Sequence, residues 1–159
     1  MKYLPQYQHV HVFAQSCALL GPKVICEIGS FDGRDAQIMA EACPNATVIA
    51  FEANPENFFE LSLSRRMQNT RVSVQHVAIS DSDGMTRITV PGPPPDATDH
   101  VKHLMRGMGS MLRRPDIPDS RSYMVSKRSL DSFCGKWADE NTFALWMSST
   151  SSCIFSVPN

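Results

Sequence analysis

Two short apolar runs, Val24-Ile25-Cys26-Glu27-Ile28 and Thr47-Val48-Ile49-Ala50-Phe51, flank a segment of helical period. Runs this short and rich in β-branched residues read as buried strands, and two of them around a helix leave few folds open. In the segment between them, Ala36, Met39, Ala40 and Cys43 fall on one helix face, and Pro44-Asn45 stops it. The first strand ends in Gly29-Ser30-Phe31-Asp32-Gly33 and the second at Glu52. A strong helix start follows, with Asn54 as N-cap, Pro55 at the first helical position and Glu56 in the first turn. That helix is expected to run to about Gln68, burying Phe58 and Leu61. A third strand is expected over 72–79, then a turn at Asp81-Ser82-Asp83-Gly84 and a more exposed strand over 85–90.

Alternating strands and helices predict the α/β class, a parallel sheet with helices on both faces. Right-handed crossovers then bring the C-terminal ends of the first two strands to one edge of the sheet, where open α/β folds bind ligands. Pro91-Gly92-Pro93-Pro94-Pro95 breaks the pattern, and 91–121 reads as a flexible insertion, a long loop or mobile cover. Order is expected to return at 122–125, with Ser129 capping a helix from Leu130 to about Trp137 and a buried strand at 143–147. The expected organisation is an N-terminal covering segment over 1–22, with a weak helical signal at 9–20, a principal domain over 23–147 and a serine-rich tail over 148–159.

Composition narrows the function classes. The 159 residues are 42% apolar and 19% charged with a formal net charge of -1, which excludes a disordered chain and removes the electrostatic case for nucleic-acid binding. No apolar stretch approaches the roughly 18 residues of a membrane span. Five cysteines, an odd number without CxxC spacing, suggest neither a disulfide framework nor a structural zinc site, and point to a reducing, cytoplasmic setting.

The candidate chemistry lies at the strand ends. Gly29 and Gly33 permit a tight turn and close backbone approach, and the amides there, with the helix N-terminus, can hold a carboxylate or phosphate. Glu52, 25 residues beyond Glu27, stands where a carboxylate can accept both hydroxyls of an adenosine ribose. A plain strand-to-helix turn and a solvated loop acid are the competing readings of these residues. The dinucleotide pattern GxGxxG is incomplete, because Phe31 stands where the second glycine belongs and crowds a pyrophosphate. An adenosine ligand without pyrophosphate, such as S-adenosylmethionine, makes fewer demands. His76, His100 and His103 are candidate general bases, and His100-x-x-His103 has helical ligand spacing but no identifiable third ligand. The basic residues Arg113, Arg114, Arg121, Lys127 and Arg128 are diluted by Asp116, Asp119 and Asp131; they read as a solvated loop or as a means of recognising an anionic acceptor.

The run VICEIGSFDGRDAQIMAEACPNATVIAFEANPENFFEL, with VQHVAISDSDGMTRITV and SKRSLDSFC, resembles the FkbM family of S-adenosylmethionine-dependent methyltransferases over residues 23 to about 147. The resemblance implies a Rossmann-like class I methyltransferase sheet and S-adenosyl-L-methionine as cofactor. It implies that Glu27 and Gly29 line the methionine end, with Phe31 and Gly33 shaping the turn. Glu52 would hold the ribose hydroxyls, Asn54 and Asn57 would support the adenosine side, and Val77 and Ala78 would lie near the adenine. Ser110 falls where family members bring a segment over the pocket. The implied reaction is methyl transfer to a hydroxyl oxygen of a small-molecule acceptor, a sugar or natural product. The chain departs from the family after Met147, where Ser148-Ser149-Thr150 replaces an acidic run. The expectation is therefore a domain incomplete at its C-terminus, with an exposed sheet edge for a homo-oligomer to cover. A catalytically inactive α/β binding or interaction module is the alternative function.

Overall fold

Thirteen elements follow one another along the chain, in a computed structural model that describes residues 6–68, 71–111, 120–135 and 143–147. Helix α1 (Gln6–Leu20) leads into β1 (Val24–Ile28), α2 (Arg34–Ala42), β2 (Thr47–Glu52), α3 (Pro55–Leu63) and α4 (Arg65–Gln68). There follow β3 (Val72–His76), β4 (Ala78–Ser80), β5 (Gly84–Val90), α5 (Asp99–Arg106), β6 (Arg121–Ser129), α6 (Leu130–Cys134) and β7 (Phe143–Met147).

The elements build a mixed α/β fold, broadly Rossmann-like, around a parallel sheet ordered β3-β2-β1-β7. Every residue of β1 is buried, as its unbroken apolar pattern requires of a central parallel strand. Strand alternation sorts the side chains into two layers. Ile25, Val48 and Ala50 face Val10, Ala14 and Cys17 of α1, Ala36 and Met39 of α2, and Leu61 and Met67 of α3 and α4. On the opposite face, Cys26, Ile28, Ile49 and Phe51 pack with Val77 and Ile79 and meet Leu130 and Phe133 of α6, the Phe51 and Phe133 rings edge to face at 4.8 Å. Helices thus lie on both faces, four on the first and, among the described residues, the short α6 on the second. No described helix is long and apolar enough to cross a membrane.

Two expectations at 64–79 are corrected. The helix begun at Asn54 breaks at Ser64, an extended residue, and restarts as α4. The expected strand over 72–79 is two strands in different sheets: β3 pairs with β2, whereas β4 joins a second sheet ordered β4-β6-β5. Val72 and Val74 face the α1 layer and Val77 and Ile79 the α6 layer, as plain alternation would place them, so what divides the strand is the change of pairing partner from β2 to β6. The chain turns tightly there, with Val77 N donating to Gln75 O at 3.1 Å.

Within the segment expected as a flexible insertion, 91–121, the structure describes 91–111 and 120–121. Thr98 caps α5 by accepting from Val101 N, and Ser110 forms a two-way backbone bridge with Thr89 at 2.8 and 2.9 Å. Residues 112–119 lie outside the described residues, as do Trp137 and the tail over 148–159. β6 begins at Arg121, and Ser129 caps α6 as expected, accepting from Ser132 N at 3.1 Å.

Candidate functional site

The turn between β1 and α2 and the end of β2 meet at one edge of the sheet. Gly29 N and Ser30 N both donate to Phe51 O, at 2.9 and 3.1 Å, which lays the turn across the end of β2. The Glu52 carboxylate completes the join, accepting from Phe31 N through Oε2 and from Asn54 N through Oε1, each at 2.7 Å. Glu52 is nearly buried. Burial raises its pKa above the usual glutamate value, opposed by the amides of Asn54 and Phe31, the Asn57 side chain and the amide of Ala53. Two oxygens offer about four lone-pair positions, of which the 2.7 Å bonds from Phe31 N and Asn54 N occupy two.

Beside Glu52 opens a cleft with about 570 Å³ of free space, its open mouth included. Of the residues expected at a site, Gly29, Phe31, Glu52, Asn54, Val77, Ala78 and Ser110 line it. Glu27, Gly33 and Asn57 do not. Glu27 points with Ile25 into the α1 layer, away from the face on which Ile28 and Phe51 form the cleft floor. It is fully buried, and neither carboxylate oxygen has a hydrogen-bond partner among the described residues. Burial pushes its pKa well above the usual glutamate value, and the charges of Asp35, Asp32 and Glu52 push the same way. Ser30 works against the rise, although its hydroxyl donates to Phe51 O at 3.3 Å.

Gly33 serves packing. Its φ of +72° suits glycine, and a Cβ there would overlap Met67 Cε and come within 2.8 Å of Leu61 Cδ2. Phe31 also has positive φ, +49°, a conformation that costs a non-glycine residue about 1–3 kcal/mol. Its ring lies against His103 of α5, with centroids 4.6 Å apart. The amides Asn54 Nδ2 and Asn57 Nδ2 donate to a single acceptor, Arg106 O, at 3.0 and 3.1 Å. The two asparagines thus tie the end of α5 over the cleft, while Asn54 Oδ1 caps α3 by accepting from Glu56 N at 3.0 Å. The Arg106 guanidinium pairs with Glu60 and donates to His103 Nδ1.

This roof of Arg106, Gly107 and Gly109, and the wall of Ile79, Ile88 and Met111, were not expected from the sequence. A signal for the roof exists: Thr98-Asp99 starts a helix with Val101, Leu104, Met105 and Met108 at helical spacing. Among the described residues no group of three or more His, Cys, Asp or Glu side chains is placed to hold a metal ion, so His100 and His103 gain no third ligand. Set against known proteins, the chain matches no family model and no curated protein.

Proposed function

We propose that this chain is an α/β binding module for an adenosine-bearing ligand, S-adenosylmethionine first among them, seated at the C-terminal ends of β1 and β2. One observation carries the reading: the Glu52 carboxylate and the Gly29 turn meet at the same sheet edge and border a common open cleft. Glu52 would accept the ribose hydroxyls, and the apolar surface of Val77, Ala78 and Ile79 suits the faces of an adenine ring. Isothermal titration tests this with S-adenosylmethionine, its demethylated product and NAD. Saturable binding of the first two is expected, weakened about 10- to 100-fold in Glu52→Gln and lost in Glu52→Ala. Failure of the folded wild-type chain to bind either compound would overturn the reading.

Binding is favoured over turnover because the described lining of the cleft offers no candidate base besides Glu52, which this reading assigns to the ribose. Its titratable lining side chains are Glu52 and Arg106. His103 lies outside the lining, with its Nδ1 turned to the Arg106 guanidinium. His76 lies outside the lining, with Nε2 directed to Ala53 O and its ring stacked on Phe58. Methyl transfer to a hydroxyl of a sugar or other small molecule is the second reading. The observation in its favour is that the Ser-Leu-Asp-Ser-Phe stretch, part of the FkbM resemblance, forms the capped start of α6, which packs beneath the cleft floor at Phe51.

A further inference from the structure

An anion-binding turn leaves its amides pointing at the ligand. The turn at 29–33 does the reverse. Gly29 N and Ser30 N are taken by Phe51 O, Phe31 N by Glu52, Gly33 N by Ser30 O at 2.7 Å and Arg34 N by Asp32 Oδ1 at 3.1 Å. The last of these places a carboxylate at the start of α2, and Asp35 adds another in its first turn. The positive end of the helix dipole is thereby already met. Asp35, Asp32 and Glu52 lie close enough to the turn to act electrostatically on Glu27 beneath it. The cations of α2 and α5 are Arg34, exposed at the start of α2, Lys102, paired with Asp99, and Arg106, engaged with Glu60 and His103.

The Phe31 ring closes the remaining path. It lies beneath the roof so tightly that a Cβ on Gly107 would come within 3.2 Å of it. A diphosphate therefore meets amides of Gly29, Ser30, Phe31 and Gly33 that are already taken, and backbone that the Phe31 ring covers.

We propose that this turn makes the cleft select by charge, admitting neutral and cationic adenosine derivatives and rejecting 5′-phosphorylated ones. The rule rests on the adenosine reading above and adds the chemistry that decides among adenosine compounds. Phe31 and Asp32 are its specificity-determining residues, Phe31 by filling the phosphate path and Asp32 by its charge at the α2 N-terminus.

The test is titration of the full chain with adenosine, S-adenosylmethionine, AMP and NAD at low salt. AMP and NAD are expected to bind at least about tenfold more weakly than adenosine, because a phosphate enters beside fixed carboxylates. Asp32→Asn keeps an acceptor for Arg34 N and should narrow the gap between adenosine and AMP by about two- to threefold. Phe31→Gly relieves the positive φ, opens the path and should narrow the gap between adenosine and NAD. AMP bound as tightly as adenosine would overturn the charge rule and leave the adenosine reading standing. Gaps unchanged in both variants would overturn the assignment to this turn. If neither adenosine nor S-adenosylmethionine binds, both proposals fall together.

Discussion

Glu27 and Glu52 are both carboxylates at the C-terminal ends of adjacent strands, yet their surroundings give them different roles. Glu52 is met by backbone amides and faces a cleft, whereas Glu27 is sealed in an apolar layer without a donor. A carboxyl so placed keeps its proton in the folded chain after its unfolded counterpart has lost it. The folded state then binds more protons than the unfolded one, and stability falls as pH rises above the unfolded glutamate value of about 4.3. The decline continues up to the raised folded pKa, with a limiting slope of about 1.4 kcal/mol per pH unit from this one group. Glu27→Gln keeps the shape and removes the charge. Urea melts of wild type and variant should coincide near pH 4 and diverge at neutral pH in favour of the variant. Parallel curves across that range would show that Glu27 ionises freely in the fold. The sequence marks both glutamates as strand-end acids, but it carries no sign of which face each takes beyond the alternation of their neighbours. Alternation gives Glu27 the face of Ile25 and Glu52 that of Val48 and Ala50, and Glu52 borders the cleft as the last residue of β2, whereas Glu27 lies one residue inside the end of β1.

Among the elements, legibility follows how locally each is determined. β1, β2 and the start of α3 were readable because runs of β-branched residues and an Asn-Pro-Glu cap are local signals, and the structure reproduces them. The break between β3 and β4 was not, because it is enforced by two sheets that exist only once the chain is folded. Helix α5 escaped for another reason. None of its residues is buried, and Val101, Leu104 and Met108 stay exposed, so helical spacing there answers to no core. What holds this roof is polar: the two asparagine amides on Arg106 O, the Arg106 pair with Glu60 and the Thr89–Ser110 bridge. Asn57→Ala removes one of the amides and should cost about 1 kcal/mol in stability. Its sharper consequence is local: the amides of Gly107 and Ser110 should exchange with deuterium faster, while those of β1 stay protected. Equal acceleration in β1 would mean that the asparagine supports the whole fold. At Gly33 the constraint is steric, and Gly33→Ala should lower stability by about 1–3 kcal/mol in urea melts, through its positive φ and the overlap with Met67 and Leu61.

At the scale of the whole molecule, the cleft is where otherwise separate parts converge. Its floor comes from β1 and β2 of the first sheet, its wall from β4 and β5 of the second, and its roof from the segment after α5. The two sheets share a core through Val77 and Ile79 on β1 and β2, and Arg121 and Tyr123 of β6 reach Glu56 of α3. A ligand filling the cleft touches both sheets and the roof, and its binding free energy should appear as stability of the whole. At a hundredfold excess over Kd, linkage adds about 2.7 kcal/mol. For a chain of this size that is a rise in Tm of about 5–10 °C. S-adenosylmethionine should produce this rise in the wild-type chain and none in Glu52→Ala. Deuterium exchange should slow in β5 and in the 107–111 roof as well as at the ends of β1 and β2. Protection confined to the first sheet would mean that the ligand rests on the Glu52 edge alone and that the second sheet has no share in the site.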